Sequence, residues 1–289
     1  MILLLGASGY IGKEFNKQLF QNNFPTRTCG IPTKELTYTH LELMHKALKL
    51  TAIVNCAGYT GKPNVDACET DKHNTIYGNV VVPEMLSLFC RNHGITLGHV
   101  SSGCIYTGRR SDGKPFTEKD RPNFSFEHNN CSFYSGTKAM AEDVIRQNWG
   151  NHYIWRLRIP FEENNNPRNY LSKMLNYKKL LDAENSISNK YDFVNACVQS
   201  LKKNIPYGTY NVTNTGFVTT KQVIEKMQKT IAKDKVFEFF DNEEDFYKIA
   251  AKTPRSNCVM SNEKLLSTGI TMRTVDEALN YCLENWKII

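Results

Sequence analysis

Apolar positions along this chain follow two alternating rhythms. "ILLLG" is a continuous apolar run, the pattern of a parallel strand covered on both faces. Directly after it, "IGKEFNKQLFQNN" places Ile11, Phe15 and Leu19 at helical spacing. "THLELMHKALKL" repeats that period and opens with a capping-box pair, Thr39 and Glu42. "TAIVNCAG" reads as the next buried strand, and "NVVVPEMLSLFCRNHG" as a helix that stops at Gly94. A strand, "ITLGHVSS", a helix, "YSGTKAMAEDVIRQN", and a strand, "YIWRLRIP", complete the series. Regular β-α alternation predicts an α/β fold with a doubly wound parallel sheet.

Beyond Pro160 the texture changes. A polar stretch, "FEENNNPRNY", leads into the basic helical segment "LSKMLNYKKLL", and "GTYNVTN" reads as a strand returning to the sheet. Capping boxes at Thr219–Gln222 and Thr274–Glu277 predict two late helices. The expected organisation is a nucleotide-binding domain over 1–160, rejoined by 191–235. A smaller C-terminal substrate-binding lobe is built mainly from 161–190 and 236–289. There are no internal repeats.

Composition narrows the classes. The 289 residues suffice for a substantial core, and 40% hydrophobic with 22% charged residues is ordinary for a globular protein. A net charge of +7 is spread along the chain, so nucleic acid is not an expected partner, though a mild positive field suits a phosphorylated small molecule. Nine cysteines show no C-x-x-C or Cys/His metal spacing, and no metal is expected. Several lie in apolar runs, which fits a reducing compartment. No run reaches membrane-spanning length, and "MILLL" reads as a strand, not a signal peptide. The expected location is the cytoplasm, a host's if the chain is viral.

Between the first strand and helix, "LLLGASGYIG" sets Gly6, Gly9 and Gly12 in a G-x-x-G-x-x-G pattern. Such glycines permit a tight turn, close approach to a pyrophosphate and close helix packing, and the helix N-terminus adds N–H donors. Ser8, Tyr10 and Ile11 share this turn as cofactor-binding candidates. The fold is therefore read as Rossmann-type. The spacing resembles that of extended short-chain dehydrogenase/reductases, and "NCAG" (Cys56, Ala57 and Gly58) resembles that family's N-A-A-G strand end. The resemblance gives Asn79 the role of ordering the active-site backbone and puts Pro160 beside the nicotinamide. Near the second strand's end stand Arg27 and no acid, which favours NADPH over NADH.

Tyr134 and Lys138 in "FYSGTKAM" form Y-x-x-x-K, one helical turn apart and on one face. An ammonium and an oxidised nicotinamide lower a phenol's pKa, so Tyr134 is the candidate proton donor to a ketone oxygen. In "HVSSGCIYTG", alternation along an extended chain sends Ser102 and Cys104 to one side and Ser101 to the other. Ser102 then supplies the second hydroxyl at the ketone, and Cys104 a thiol facing the substrate. A 4-keto sugar has acidic protons at C3 and C5, and a site polarising O4 stabilises the enolate. A thiol beside the ring thus allows epimerisation before reduction.

The stretches "NCAGYTGKPNVDACE", "SSGCIY", "PNFSFEHNNCSFYSGTKAMAE", "RLRIP", "NNPRNYLSKM" and "PRSN" resemble those of nucleotide-rhamnose synthase/epimerase-reductases. GDP-fucose synthases carry a similar Ser-x-Cys arrangement, and Ser102 stands where many relatives have Thr. The resemblance implies 3,5-epimerisation of UDP-4-keto-6-deoxy-D-glucose and NADPH reduction at C4, giving UDP-L-rhamnose. It makes Lys173 the second acid, where fucose synthases use a histidine. Thr60, Lys62, Asn64, Arg168, Asn169 and Arg255 are the substrate-binding candidates, with Asp66 and Glu69 bracing their loop. Two other readings stay open on the residues alone: a dTDP-4-dehydrorhamnose reductase lacking epimerase activity, and a non-catalytic NADP-binding subunit. A homodimer would suit the fold.

Overall fold

The computed structural model describes residues 1–62 and 64–288. Its centre is a sheet of six parallel strands: β1 (Ile2–Leu5), β2 (Thr26–Thr28), β3 (Ala52–Asn55), β4 (Thr96–Ser102), β5 (His152–Leu157) and β6 (Gly208–Asn211). Their order is β6-β5-β4-β3-β1-β2. The chain reverses direction across the sheet between β1 and β3. A crevice opens there at the strands' carboxyl ends, where such folds bind ligands.

The continuous apolar run of β1 follows from its central place. Ile2 and Leu4 pack with Phe15 and Leu19 of α1 (Tyr10–Gln21) and with Phe193 and Val194 of α7 (Lys190–Lys203). Leu3 and Leu5 face the other way, onto Leu41 of α2 (Tyr38–Leu48) and Leu86 and Phe89 of α4 (Val82–His93). Burying each such side chain contributes roughly 1.5–3 kcal/mol. The strand is thus held by both helical layers.

A second core joins Phe161, Leu171 and Met174 to α8 (Thr220–Lys229) and α11 (Val275–Glu284). This divides the chain differently from the expected boundaries. Of residues 191–235, α7 and β6 rejoin the sheet, but Val223, Ile224 and Met227 of α8 bury their apolar stripe in the second core. Conversely, Leu265 and Ile270, in the stretch 236–289 expected mainly in the lobe, lie in the sheet's core. Helical periodicity predicts an apolar face but not which surface covers it.

Capping boxes at Thr219–Gln222 and Thr274–Glu277 are present, as is the left-handed Gly94 closing α4. The box expected at Thr39–Glu42 is displaced. Thr37 caps α2, accepting from the His40 N–H, while the His40 ring returns to the Thr37 N–H. An imidazole nitrogen accepts as a carboxylate would, so the motif forms two residues earlier.

Candidate active site

The glycine turn between β1 and α1 is built to admit a polar group closely. Gly6 has φ +72°, and a Cβ there would stand 2.7 Å from the Ala57 nitrogen beyond β3. A Cβ on Gly12 would lie 1.9 Å from the Gly6 carbonyl oxygen, so α1 starts against the turn with no room for a methyl. Gly9 is the N-cap and no side chain caps the helix, leaving its first N–H groups to serve an anion. The turn that holds Cys56, Ala57 and Gly58 is fixed by Asn55, whose Oδ1 accepts from the Ala57 N–H at 3.0 Å. These features fit a dinucleotide. Gly12→Ala is expected to abolish coenzyme binding and to destabilise the fold by about 1–3 kcal/mol, read by titration fluorescence and calorimetry.

Two cofactor candidates are placed differently from expectation. Arg27 is the middle residue of β2, paired with Leu3, so it does not occupy the strand end where ribose recognition is expected. That end carries Thr28, Cys29 and Gly30, with no acid. Tyr10 turns toward the C-terminal half. The Lys190 ammonium lies 4.7 Å from its ring centroid, and burial followed by the nearby Glu162 charge pushes its phenol well up. Ser8 is exposed at the turn and Ile11 half-buried. Pro160 begins the two-residue strand Pro160–Phe161, paired with Ser188–Asn189.

The helix α5 (Phe133–Gln147) carries Tyr134 and Lys138 on one face. Lys138 is 5% exposed and donates from Nζ to the Val100 carbonyl at 3.2 Å, which ties it to β4. Burial lowers its pKa. α5 packs against the Gly103–Ile105 turn that follows Ser102, so Tyr134, Ser102 and Cys104 belong to adjoining elements. Burial, with Cys104 and Cys68 nearby, raises the phenol; Ser102 and Arg158 draw it down. A phenol so placed keeps its proton at neutral pH, ready to give to an incoming oxyanion.

Ser101 does face away from Tyr134: its hydroxyl donates to Glu142 Oε1 at 2.6 Å. The route that brings Ser102 and Cys104 together, however, is not strand alternation. β4 ends at Ser102, and Gly103–Ile105 form a 3-10 turn in which the Cys104 N–H donates to Ser102 Oγ at 3.2 Å. The Gly103 peptide packs too tightly for a Cβ, which would stand 2.4 Å from Met260 Sδ. Cys104 is 7% exposed.

Asn79 is buried in a π-helical turn, Tyr77–Val81, between α3 (Lys72–Ile76) and α4. Its Oδ1 accepts from the Tyr59 N–H at 2.7 Å, and its Nδ2 donates to the Tyr59 carbonyl at 2.9 Å and to Thr137 Oγ1 at 3.2 Å. The widened turn lets one amide join the substrate-side loop to α5. A π turn at such a position often marks a functional site.

On the substrate side, Arg168 donates to Thr60 Oγ1 at 3.1 Å, so those two candidates meet. Asn64 caps the turn Val65–Glu69, and Lys62 is exposed. Glu69 accepts from the Phe133 N–H at 2.7 Å, bracing the loop against α5. Arg255 is committed to Asp66 at 2.7 Å, a partner that competes with any phosphate. Burial would raise Asp66, but the Arg255 and Thr253 hydrogen bonds hold it low. Asn169 is buried as the N-cap of α6 (Tyr170–Asn176), bonding Glu162 and Asn164 carbonyls, and therefore positions the segment from within. Lys173 is exposed on α6, yet crowding at its ammonium, then Arg168, lowers its pKa.

Four groups around the site escaped sequence reasoning. Glu142, one turn after Lys138, accepts from Ser101 and Arg156 and bolts α5 to β4 and β5. Its signal was an acid at i+4 on the catalytic face. His99 is buried on β4, and its Nδ1 pairs with the Asn55 amide at 3.1 Å. Arg158 and the half-buried Cys131 also lie near the site; burial and then Cys104 push the Cys131 thiol up to about 11. A separate groove, lined by Glu118, Arg121, Met140 and Arg146, sits elsewhere along α5 and includes none of Ser102, Cys104, Tyr134 or Lys138. Among the described residues no helix is long and apolar enough to cross a membrane.

Comparison with known proteins accords with this geometry. The chain is 32% identical over 287 residues to a bifunctional dTDP-4-dehydrorhamnose 3,5-epimerase/reductase of Arabidopsis thaliana, covering 96% of this chain and 90% of that one. It is 34% identical over 239 residues to a trifunctional UDP-glucose 4,6-dehydratase/UDP-4-keto-6-deoxy-D-glucose 3,5-epimerase/UDP-4-keto-L-rhamnose reductase of the same plant. That match covers 81% of this chain but 34% of the relative, so the chain spans about a third of the trifunctional protein. In structure it superposes on a UDP-rhamnose synthase of Acanthamoeba polyphaga mimivirus with a TM-score of 0.89 at 22% identity, covering 98% of both chains. The family model described as RmlD substrate binding domain matches residues 1–288, and the chain belongs to that family.

Proposed function

We propose that this protein is an NADPH-dependent 4-keto-reductase of a nucleotide-linked deoxy sugar that also epimerises C3 and C5, converting UDP-4-keto-6-deoxy-D-glucose to UDP-L-rhamnose. The observation that carries the reading is the packing of α5, with Tyr134 and Lys138 on one face, against the turn in which the Cys104 N–H bonds Ser102 Oγ, with Lys138 tied to Val100 on the strand that ends in Ser102. Family membership supports the reductase half. The two plant relatives, each with an epimerase function in its name, support the other half. UDP is the nucleotide in the names of the trifunctional relative and the viral synthase.

Gly6, Gly9, Gly12 and the turn at Ala57 would hold the coenzyme, with Lys138 against its nicotinamide ribose. The absence of an acid at the end of β2 favours NADPH. When bound, that coenzyme supplies the hydride for C4. Tyr134 gives its proton to O4 and Ser102 donates a hydrogen bond to the same oxygen. Before reduction, Cys104 exchanges a proton on one face of the ring, and O4 carries the enolate charge. Lys173 reprotonates from the other face, a task suited to an ammonium whose pKa is lowered by desolvation at its nitrogen and by Arg168.

Cys104→Ser separates the two activities. It is expected to slow deuterium uptake at C3 and C5 of UDP-4-keto-6-deoxyglucose in D2O by about 10²–10⁴-fold. Reduction of an already epimerised UDP-4-keto-rhamnose should stay within about threefold, below the effect of losing one acid–base group. Exchange that survives the substitution would assign the proton transfer to another group. A wild-type protein that reduces the epimerised sugar but never exchanges would be a reductase alone.

A further inference from the structure

Two arginines stand two residues apart where β5 meets the site, and they are treated in opposite ways. Arg156, 1% exposed, meets Glu142 through Nε and Nη2 at 2.7–3.2 Å. Its Nη1 donates to Tyr106 Oη at 3.0 Å and to Asn211 Oδ1 at 3.3 Å. Arg158 is 6% exposed, and none of the ion pairs among the described residues includes it. Its Nη2 donates to Asn185 Oδ1 at 2.5 Å and to the Ser256 carbonyl, both neutral, and its Nε has no acceptor.

A guanidinium keeps its charge in a protein interior, and a buried charge without a counter-ion costs several kcal/mol. The chain also strains to place it, since the next residue, Ile159, is β-branched at φ +38°. The position explains where the missing anion belongs. Arg158 Cδ is 3.3 Å from the point a Gly103 Cβ would occupy, so the side chain lies behind the turn linking Ser102 to Cys104. Behind the same turn the Cys258 thiol donates to the Gly103 carbonyl at 3.3 Å, and the Arg158 charge draws down the Tyr134 phenol of α5 and the Tyr170 phenol of α6. Burial raises Cys258 and keeps it a neutral thiol, so it is no counter-ion.

We infer that Arg158 is a positioning residue whose uncompensated buried charge stabilises, through the Ser102–Cys104 turn, the negative charge that forms on O4 of the keto sugar during proton removal at C3 and C5. This rests on the epimerase reading and extends it. The loss of the C–H bond sends the proton to a side chain and the electron pair to O4, and no further reactant is needed. A permanent anion in place of Arg158's neutral acceptors would cancel that field in the resting enzyme, which accounts for an amide and a carbonyl as its partners.

Two substitutions test it. Arg158→Gln removes the charge. Asn185→Asp keeps the guanidinium but supplies a carboxylate at its 2.5 Å contact. Each is expected to slow C3/C5 exchange in D2O by about 10²-fold, the scale of a lost oxyanion donor. Affinity for UDP should stay within about threefold, and the alkaline limb of the exchange profile should move to higher pH as the stabilising cation is lost or neutralised. Arg158→Lys should recover part of the rate. Asn185→Asp should melt no lower than wild type, a combination that a merely structural arginine would not produce. If Arg158→Gln fails to fold, Asn185→Asp decides alone. Folded variants that exchange at the wild-type rate, or a loss of UDP affinity that matches the loss of exchange, overturn the inference. Should wild type itself not exchange, the epimerase reading fails separately. Unaltered reduction of the epimerised sugar by both variants would then overturn the role at O4 as well.

Discussion

Tyr134→Phe is expected to lower kcat for reduction of the epimerised sugar by about 10³–10⁴-fold, the upper range for loss of a positioned proton donor. Melting should change by no more than about 1 kcal/mol, the scale of a single hydrogen bond, because the substitution removes one hydroxyl and leaves the ring. The direction of the Tyr134 shift sharpens this prediction. Burial raises its pKa, with the nearby Cys104 next in size, and the Ser102 hydroxyl and Arg158 charge only partly offset them. The proton therefore stays on at neutral pH, which is the state reduction requires. Any fall in rate due to Tyr134 ionisation belongs on the alkaline side, and Phe at this position should remove that limb. A Phe variant retaining a tenth of the activity would move the proton donor to Ser102, Cys104 or water. Coenzyme affinity measured in parallel distinguishes lost chemistry from lost binding.

Glu142→Gln is expected to destabilise the fold by about 3–5 kcal/mol, the cost of stranding one member of a buried pair. The substitution keeps the shape of the side chain and removes only its charge. Glu142 is fully buried, and its partner Arg156 would be left with neutral acceptors alone, Tyr106 and Asn211 among them. Burial would raise the carboxyl, yet the Arg156 charge and hydrogen bonds, with Arg146 and Ser101, bring it to about 2. Because that value lies below the ordinary 4.5, the stabilisation is full above about pH 4.5 and is lost as pH falls toward 2. Wild type should therefore lose stability across that window, and the Gln variant should lack this component. Denaturant melts at pH 7, 4.5 and 3 would show it. A variant as stable as wild type at pH 7 would mean the pair offers orientation without net stabilisation. Activity should fall too, since Glu142 fixes α5 to Ser101 on the strand that ends in Ser102.

Much of the site was legible because it rests on short-range patterns. Gly6, Gly9 and Gly12 announce a turn that tolerates no side chain, and the structure supplies the reason in a 1.9 Å approach at Gly12. Tyr134 and Lys138 share a face because four residues make one turn of α5. Two capping boxes are self-contained within four residues. Reading failed where a local rule met a distant neighbour. Alternation stops at Ser102, where the chain turns at Gly103, a position at which Met260 and Arg158 leave no room for a Cβ. Arg255 looked like a phosphate ligand because a free guanidinium suits one, but Asp66, 189 residues away in sequence, holds it. β2 ends at Thr28, within the stretch the sequence points to, with Arg27 one residue before that end and no acid through Gly30.

The sequence by itself determined the β-α alternation, the nucleotide-binding turn, the Tyr134–Lys138 pair and the presence of a thiol two residues beyond Ser102. Periodicity, capping and the approach of Gly12 to Gly6 act over a few neighbouring residues and need no distant partner. Only the tertiary structure decided that α8 joins the second core, that β6 returns to the sheet's edge, that Asn79 links Tyr59 to Thr137, and that, among the described residues, Arg156 has a carboxylate partner and Arg158 has none. Those outcomes depend on which surfaces and charges meet after the chain has closed. Two arginines in "RLRIP" are chemically identical on paper, and the nearest carboxylate alone sets them apart.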